Sequence, residues 1–163
     1  MQIYLLRHGI AEELKPGHAD SDRSLTGDGR RRVREVLAMA REAGVAPTMI
    51  LSSPYRRAVQ TATIAAEVFD YKEEFLRTSV LEPGAQPGDA WEEIRIHKGE
   101  DQLLLVGHEP LFSALGAYLL GSPELNIDFK KGAVLRVDVE QFGPQPRGTL
   151  KWLVVAKLAV RKE

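Results

Sequence analysis

Leu103-Leu104-Leu105-Val106, followed by Gly107-His108-Glu109-Pro110, decides the fold. Four consecutive apolar residues on a strand point alternately to both faces, so both faces must be covered, as in the middle of a parallel sheet packed between helices. The Gly-His-Glu-Pro run ends the strand. Downstream, Leu111 to Leu120 is apolar nearly all round and reads as a buried helix. Upstream, Asp89 to Ile96 carries Trp91 and Ile94 three apart and reads as a short helix stopped by Gly99.

The amino-terminal run Gln2-Ile3-Tyr4-Leu5-Leu6 predicts a second buried strand, closed by Arg7-His8-Gly9. Ile10 to Ser24 is polar, contains Pro16 and Gly17, and is expected as a mobile loop. Thr26 is placed as the N-cap of a helix whose apolar face is Val33, Val36, Leu37 and Ala40 and which Gly44 terminates. Thr48 to Leu51 reads as a short strand. Ser53-Pro54 then opens a helix to about Phe69, with Pro54 near its first position and Val59, Ala62, Ala66 and Phe69 turned inward. Asp70 to Gly88 reads as irregular. Ala133 to Val139 and Leu150 to Leu158 predict two late strands at the far end of the sheet, separated by a loop over Gly143 to Gly148. The alternation predicts an α/β fold in three α/β/α layers with a mostly parallel central sheet, and 163 residues suit one domain, 1–163.

Composition narrows the chemistry. The chain has no cysteine, which excludes thiolate nucleophiles, zinc fingers, iron–sulfur clusters and disulfide scaffolds. Its 22 basic and 23 acidic side chains leave a net charge of -1, which argues against a general nucleic-acid binder or a polybasic membrane surface. No apolar run approaches the ~18 residues of a membrane span. A cytoplasmic protein with neither nucleic acid nor membrane as partner is the simplest expectation. Gly27-Asp28-Gly29 lacks the third glycine and preceding strand of a dinucleotide fingerprint, and there is no Walker A sequence.

Three polar stretches each follow a predicted strand: Arg7-His8-Gly9, Ser52-Ser53-Pro54-Tyr55-Arg56-Arg57 and Gly107-His108-Glu109. Parallel strands bring all three to the carboxyl edge of the sheet, where ligands of open α/β sheets bind, beside helix N-termini that favour anions. Two imidazoles and one or more guanidiniums gathered there suit a phosphoryl group. Arginine offers planar paired donors to its oxygens, one imidazole can attack phosphorus, and a second can neutralise charge. Metal-ligating carboxylates are missing from the other strand ends, so neither a metal nor another cofactor is expected.

Arg7-His8-Gly9, Leu25-Thr26 with Gly29, Ser53-Pro54 followed by Arg57-Ala58 and Gln60-Thr61, and Gly107-His108, in this order, resemble the histidine phosphatase superfamily, whose fold is that of the phosphoglycerate mutases. The length, the Leu81-Glu82-Pro83-Gly84 turn and the late strand look most like its short bacterial branch, the SixA-like phosphohistidine phosphatases. The resemblance implies His8 as the nucleophile that becomes phosphorylated, with Arg7, Arg57 and His108 around the phosphoryl oxygens. It selects Arg57, directly before the alanine, over its neighbour Arg56. Ile10-Ala11-Glu12-Glu13-Leu14 departs from the mutases, so mutase activity is not expected. Glu82 is the candidate general acid, although a phosphoramidate, once protonated on nitrogen, departs with less help than an alkoxide.

The expected activity is a metal-independent phosphatase acting through a phosphohistidine intermediate on phosphohistidine of a partner protein, such as a histidine-containing phosphotransfer domain. Little chain between the Thr48 to Leu51 strand and Gly99 is free to roof the pocket, which predicts an open site. His8 must attack neutral and His108 is more useful protonated, which predicts a bell-shaped pH profile. The alternatives are a small-molecule phosphomonoesterase, for a sugar phosphate or nucleotide, and a non-catalytic phosphoryl-binding module. His18 and His97 are expected in solvent, Arg30, Arg31, Arg32 and Arg34 on a solvated helix face opposite Asp20, Asp22 and Glu35, and Trp91 and Trp152 in packing.

Overall fold

A computed structural model describes residues 1–159. The strands are β1 (Gln2–Arg7), β2 (Met49–Ser52), β3 (Leu76–Arg77), β4 (Gln102–Gly107), β5 (Val134–Asp138) and β6 (Thr149–Val154). The helices are α1 (Gly27–Glu42), α2 (Arg56–Val68), α3 (Pro87–Ile96), α4 (Leu111–Leu119) and α5 (Ala156–Ala159), with 3-10 turns at Asp20–Asp22 and Ser79–Leu81. The six strands form one sheet in the order β3-β2-β4-β1-β5-β6. The first four run parallel, whereas β5 and β6 are antiparallel additions at one edge.

Alternation along the central strands builds two cores. Ile3 and Leu5 of β1 and Leu103 and Leu105 of β4 pack with α3 and α4, whereas Tyr4, Leu6, Leu104 and Val106 pack with α1, α2 and α5. Neighbouring residues thus serve opposite layers, and β4 is buried on both faces as its apolar run requires. Trp91 is fully buried, stacks on Phe142 with ring centroids 5.9 Å apart and donates Nε1–H to the Gly143 carbonyl at 3.1 Å. Trp152 packs against Tyr4 at the other end of the sheet.

Several local expectations are corrected. Pro54 lies one residue before the α2 cap, Tyr55, rather than at the first helical position. The buried face of α2 is Arg57, Ala58, Thr61, Ala62, Ile64 and Ala65, because two polar residues turn inward to the site and rotate the helix away from the face that apolar spacing picks out. The segment after α2 holds an edge strand and a 3-10 turn. The last strand stops at Val154, and Ala156 and Ala159 are buried as a short helix against α1 rather than as strand. Arg31 and Arg32 pair with Asp28 and Arg31 with Glu35, on their own helix, while Arg34 pairs with Glu67. His97 is largely covered and contacts Glu93 at 3.2 Å; His18 is exposed.

The polar stretch after β1 is pinned. Glu12 N–H donates to Ser24 O at 2.8 Å, Thr26 N–H to Ile10 O at 2.9 Å and Leu25 N–H to the Gln60 side chain at 2.7 Å. Its path requires glycine twice: a Cβ on Gly29 would lie 2.2 Å from Ile10 O, and one on Gly9 would lie 2.8 Å from Val33 Cγ2. The chain leaving β1 therefore crosses directly over the start of α1, where Thr26 Oγ1 caps Gly29 N–H at 2.9 Å.

Candidate active site

The sheet order sets β2, β4 and β1 side by side, and their carboxyl ends deliver Ser52-Ser53, Gly107-His108 and Arg7-His8 to one edge. Backbone bonds fix the three exits to one another: His8 N–H donates to Gly107 O at 3.0 Å and Ser53 N–H to Val106 O at 2.9 Å. Gly107 is demanded by packing, since a Cβ there would lie 2.8 Å from the Phe112 ring. Arg57 comes from the first turn of α2, whose cap residue Tyr55 gives no side-chain cap, so that positive helix end remains beside the site. The first turn of α4 is instead occupied, because Glu109 Oε1 accepts Ser113 N–H at 2.7 Å. Of the nearby helix ends, α2 is the one left to an anion.

His8, Arg57 and His108 are 5%, 3% and 1% exposed and form one cluster. His8 Nδ1 lies 2.7 Å from Gly9 O, an acceptor only, so Nδ1 carries the hydrogen and Nε2 carries the lone pair. That lone pair accepts Arg57 Nε–H at 3.2 Å. Thr61 ties the loop to α2, accepting Gly9 N–H at 3.3 Å and donating to Arg57 O at 2.7 Å. The His8 and His108 rings stand 5.0 Å apart, and Tyr55 packs edge-on against His108. Arg7 donates Nη1–H to Phe129 O at 2.6 Å, while its buried Nε has no partner among the described residues.

The second histidine is held by Ser53, whose Oγ lies 2.8 Å from His108 Nε2 and accepts Tyr55 N–H at 3.3 Å. If the serine hydroxyl donates to Nε2, Ser53 Oγ, Tyr55 N–H and His108 Nε2 are all satisfied and the ring's remaining donor is Nδ1–H. The reverse arrangement strands both the hydroxyl hydrogen and an Nδ1 lone pair in a buried place, which is costly. His108 Nδ1 is buried and unpartnered among the described residues. His108 thus presents a buried N–H, and Arg7 a buried Nε–H, that no group among the described residues accepts and that are available to a phosphoryl oxygen.

Burial, with Arg57, Arg7 and Lys131 nearby, pushes His8 down to about 3, and burial, His8 and the same two arginines push His108 down to about 2. With the pocket free of anion, this disfavours the protonated form of either ring, because protonation would add charge to a buried cationic cluster.

One wall of the site comes from the 3-10 turn Asp20–Asp22, whose Asp20 binds Arg57 through both its carbonyl (2.7 Å) and Oδ2 (3.0 Å). Asp20 is the site residue that sequence reading misses, having been matched to the arginine run; nothing in its polar loop marks it out. Glu82 ends the 3-10 turn Ser79–Leu81 at the same edge, since the preceding Leu81 O lies 3.1 Å from where a Gly107 Cβ would be. Its half-buried carboxylate has no hydrogen bond or ion pair among the described residues.

The sheet order and this buried cluster of histidine and arginine side chains define a cationic pocket at the carboxyl edge of an α/β sheet, suited to an anion. The model of the histidine phosphatase superfamily (branch 1) matches residues 3–82, from β1 through Arg57 to Glu82. An uncharacterized protein of Picosynechococcus sp. is 34% identical over 140 residues, covering 83% of each chain. The protein histidine phosphatase SixA, solved with tungstate, superposes with a TM-score of 0.88 at 24% identity, covering 97% of this chain and 99% of that one. The alpha-ribazole phosphatase of Shigella flexneri superposes at 0.72 with 19% identity, covering 96% and 97%. The chain belongs to the histidine phosphatase superfamily, and its class is that of a phosphatase.

Proposed function

We propose that this chain is a metal-independent phosphatase that passes the phosphoryl group through His8 and takes it from phosphohistidine on a partner protein. The observation that carries the first half is the state of His8: Nδ1–H fixed on Gly9 O and an unprotonated Nε2 directed at Arg57. A non-catalytic reader of phosphate would need the arginines but not a nucleophile poised in this tautomer. Among the described residues no group of histidine and acidic side chains is arranged to hold a metal ion.

In the first step His8 Nε2 bonds to phosphorus as the substrate's P–N bond breaks and its electron pair returns to the leaving nitrogen. Arg57 turns its Nε–H from His8 to a phosphoryl oxygen, and Arg7 Nε–H and His108 Nδ1–H take others, stabilising charge spread over the oxygens of a loose transition state. In the second step water adds to phosphorus, the P–Nε2 bond breaks and the electron pair returns to His8, whose Nδ1 keeps its hydrogen throughout. The water proton leaves on inorganic phosphate.

The protein substrate is favoured by an open trough of about 730 Å³ that begins at Arg7. Its apolar lining is Ile10, Val155 and Ala156, and Arg32, Lys130, Lys131 and Lys157 line it with one carboxylate, Asp128, which pairs with Lys130 at 2.9 Å and leaves the surplus cationic. An apolar lining with a cationic surplus suits an acidic protein surface presenting its phosphohistidine to the pocket. The monoesterase reading keeps one observation in its favour, the unpartnered Glu82 carboxylate at the same edge; loss of ester hydrolysis in Glu82→Gln through a slower first step would support it.

The test is a rapid-mix burst with an aryl phosphate in EDTA, with acid-labile phosphate on the protein counted by mass. Turnover and a phosphoenzyme that survive chelation and vanish in His8→Ala are expected. Turnover that persists in His8→Ala, or none in the parent chain, would overturn the assignment.

A further inference from the structure

Asp20 is the charged group of the pocket that phosphoryl transfer leaves without a task. Its carbonyl and Oδ2 take Arg57 Nη1 and Nη2, and its Oδ1 takes Arg23 Nε at 2.8 Å. Arg57 uses its remaining Nε–H on the nucleophilic Nε2 of His8. One guanidinium therefore separates the attacking nitrogen from a carboxylate. The Asp20 side chain is 45% exposed where that of Arg57 is 4%, so Asp20 stands at the mouth while His8 stands at the base. In-line attack from the base sends the leaving group toward the mouth.

A carboxylate is an odd neighbour for an incoming phosphoryl dianion, and it is held in its charged form. Partial burial opposes ionisation, but hydrogen bonds from Arg57 and Arg23 outweigh it and keep the carboxyl below its usual range. Both oxygens retain acceptor capacity beyond the two arginines. Such a charge penalises a leaving oxygen, which gains negative charge as its bond to phosphorus breaks. It favours a leaving imidazole that enters as the cation, protonated on the nitrogen remote from phosphorus.

We infer that Asp20 is a specificity-determining residue that selects N-phosphorylated substrates with a cationic leaving group over O-phosphate monoesters. The inference rests on the phosphatase reading of His8 given above. The step balances without an acid: the P–N electron pair neutralises the imidazolium, the remote nitrogen keeps its proton, and neutral imidazole leaves. Relative to free neutral substrate, Asp20 stabilises the proton that makes the group depart, so its contribution appears in kcat/KM for P–N and not for P–O cleavage. Glu82 is then not needed for the natural substrate, which agrees with its lack of any positioning partner among the described residues.

The experiment compares N-phosphoimidazole with 4-nitrophenyl phosphate on the full chain, reading kcat/KM for each in the parent, Asp20→Asn and Asp20→Glu. Asp20→Asn removes the charge but keeps the main-chain acceptor of Arg57 and one side-chain oxygen. The ratio of P–N to P–O cleavage is expected to fall about tenfold in Asp20→Asn, whatever common loss follows from a looser Arg57. In Asp20→Glu, which keeps the charge one methylene further out, the ratio should stay within about threefold of the parent value. An equal loss on both substrates in Asp20→Asn would make Asp20 merely a positioning residue for Arg57 and overturn the inference, as would a ratio lost equally in Asp20→Glu. Failure of the parent chain to form a phosphoenzyme from either donor would instead remove the phosphatase reading, and the inference with it.

Discussion

Arg57 Nε and His8 Nε2 lie 3.2 Å apart, with both side chains almost wholly buried. An N–H in this position can only meet a lone pair, so the contact fixes which nitrogen of His8 is free to attack. Arg57 also holds Asp20 O and Oδ2 with its other two nitrogens, and a lysine ammonium cannot reproduce that planar fork. Arg57→Lys is expected to lower kcat/KM for an aryl phosphate by a factor on the order of 10²–10³, the usual cost of losing one positioned donor to a developing oxyanion. Steady-state kinetics with the fold verified by circular dichroism checks it; a loss below about threefold would separate Arg57 from the chemistry.

Both histidines should remain neutral in the anion-free protein throughout the range where an ordinary histidine titrates. Folded values of about 3 for His8 and about 2 for His108 lie below the ordinary 6.5. Between these limits the unfolded chain binds protons that the folded chain excludes, so stability rises with pH through this window and is lost as pH falls below 6.5. Each ring contributes about 1.4 kcal/mol per pH unit there. Ring chemical shifts followed from pH 8 to pH 5, with denaturation midpoints at both ends, test this; a ring protonating near its ordinary value would contradict it. The bell-shaped profile anticipated from two free-standing histidines should accordingly lack a His8 limb near neutrality in kcat/KM, which reports the free enzyme.

The central part of this architecture is legible because it rests on short-range patterns. Leu103 to Val106 announces a doubly covered strand by its unbroken apolarity, and Thr26, Gly44 and the strand-terminal motifs announce where elements begin and end. What escapes is decided by tertiary contact. Arg57 and Thr61 are polar yet buried, so apolar spacing rotates α2 wrongly. The edge strand Leu76–Arg77 has only two exposed residues and no pattern to show. Asp20 enters the pocket because the loop after β1 is folded back by the crossing at Gly29 and held by Gln60 and Arg57, the last two contacts being made across 35 and 37 residues of sequence. A loop that looks mobile by composition is in this way a wall of the site.

Ser53 governs the tautomer of His108. Ser53→Ala removes the hydroxyl that occupies Nε2 and frees the ring to carry its hydrogen on either nitrogen. The nitrogen spectrum of His108 should change from a single Nδ1–H pattern to a mixture, with kcat falling by about tenfold or more and KM moving little, because the lost donor acts chiefly on the transition state. Ser53→Thr retains the hydroxyl and should retain the single tautomer. An unchanged nitrogen spectrum in Ser53→Ala would show that Ser53 does not set the hydrogen position.

Gly29→Ala tests the crossing of the β1 exit over α1. The added methyl would lie 2.2 Å from Ile10 O, and that oxygen already accepts Thr26 N–H, so neither backbone can yield without breaking the other's bond. Overpacking of this kind costs about 1–3 kcal/mol. Since the same crossing carries the loop to Asp20, the variant should lose activity at temperatures where it is still folded. Denaturant unfolding beside an activity assay measures both, and wild-type stability would refute the crossing.

The trough beside Arg7 should separate the two kinds of substrate by charge. Lys157 lines the trough, away from His8, Arg57 and His108, and contributes to the field over it rather than to the bond being broken. Long-range attraction of this type acts on encounter with an acidic macromolecule and is screened by salt within about 10 Å at 0.1 M, whereas a small aryl phosphate needs only the pocket itself. Lys157→Glu should therefore raise KM for a phosphohistidine-bearing acidic domain several-fold and flatten its dependence on salt, with 4-nitrophenyl phosphate turnover kept. A phosphorylated histidine phosphotransfer domain and the aryl ester, assayed in parallel between 20 and 300 mM salt (on the order of the range over which screening changes most), provide the comparison. If Lys157→Glu leaves both substrates and both salt profiles alike, the acidic surface does not dock in the trough, and the reading of a protein substrate loses its structural support.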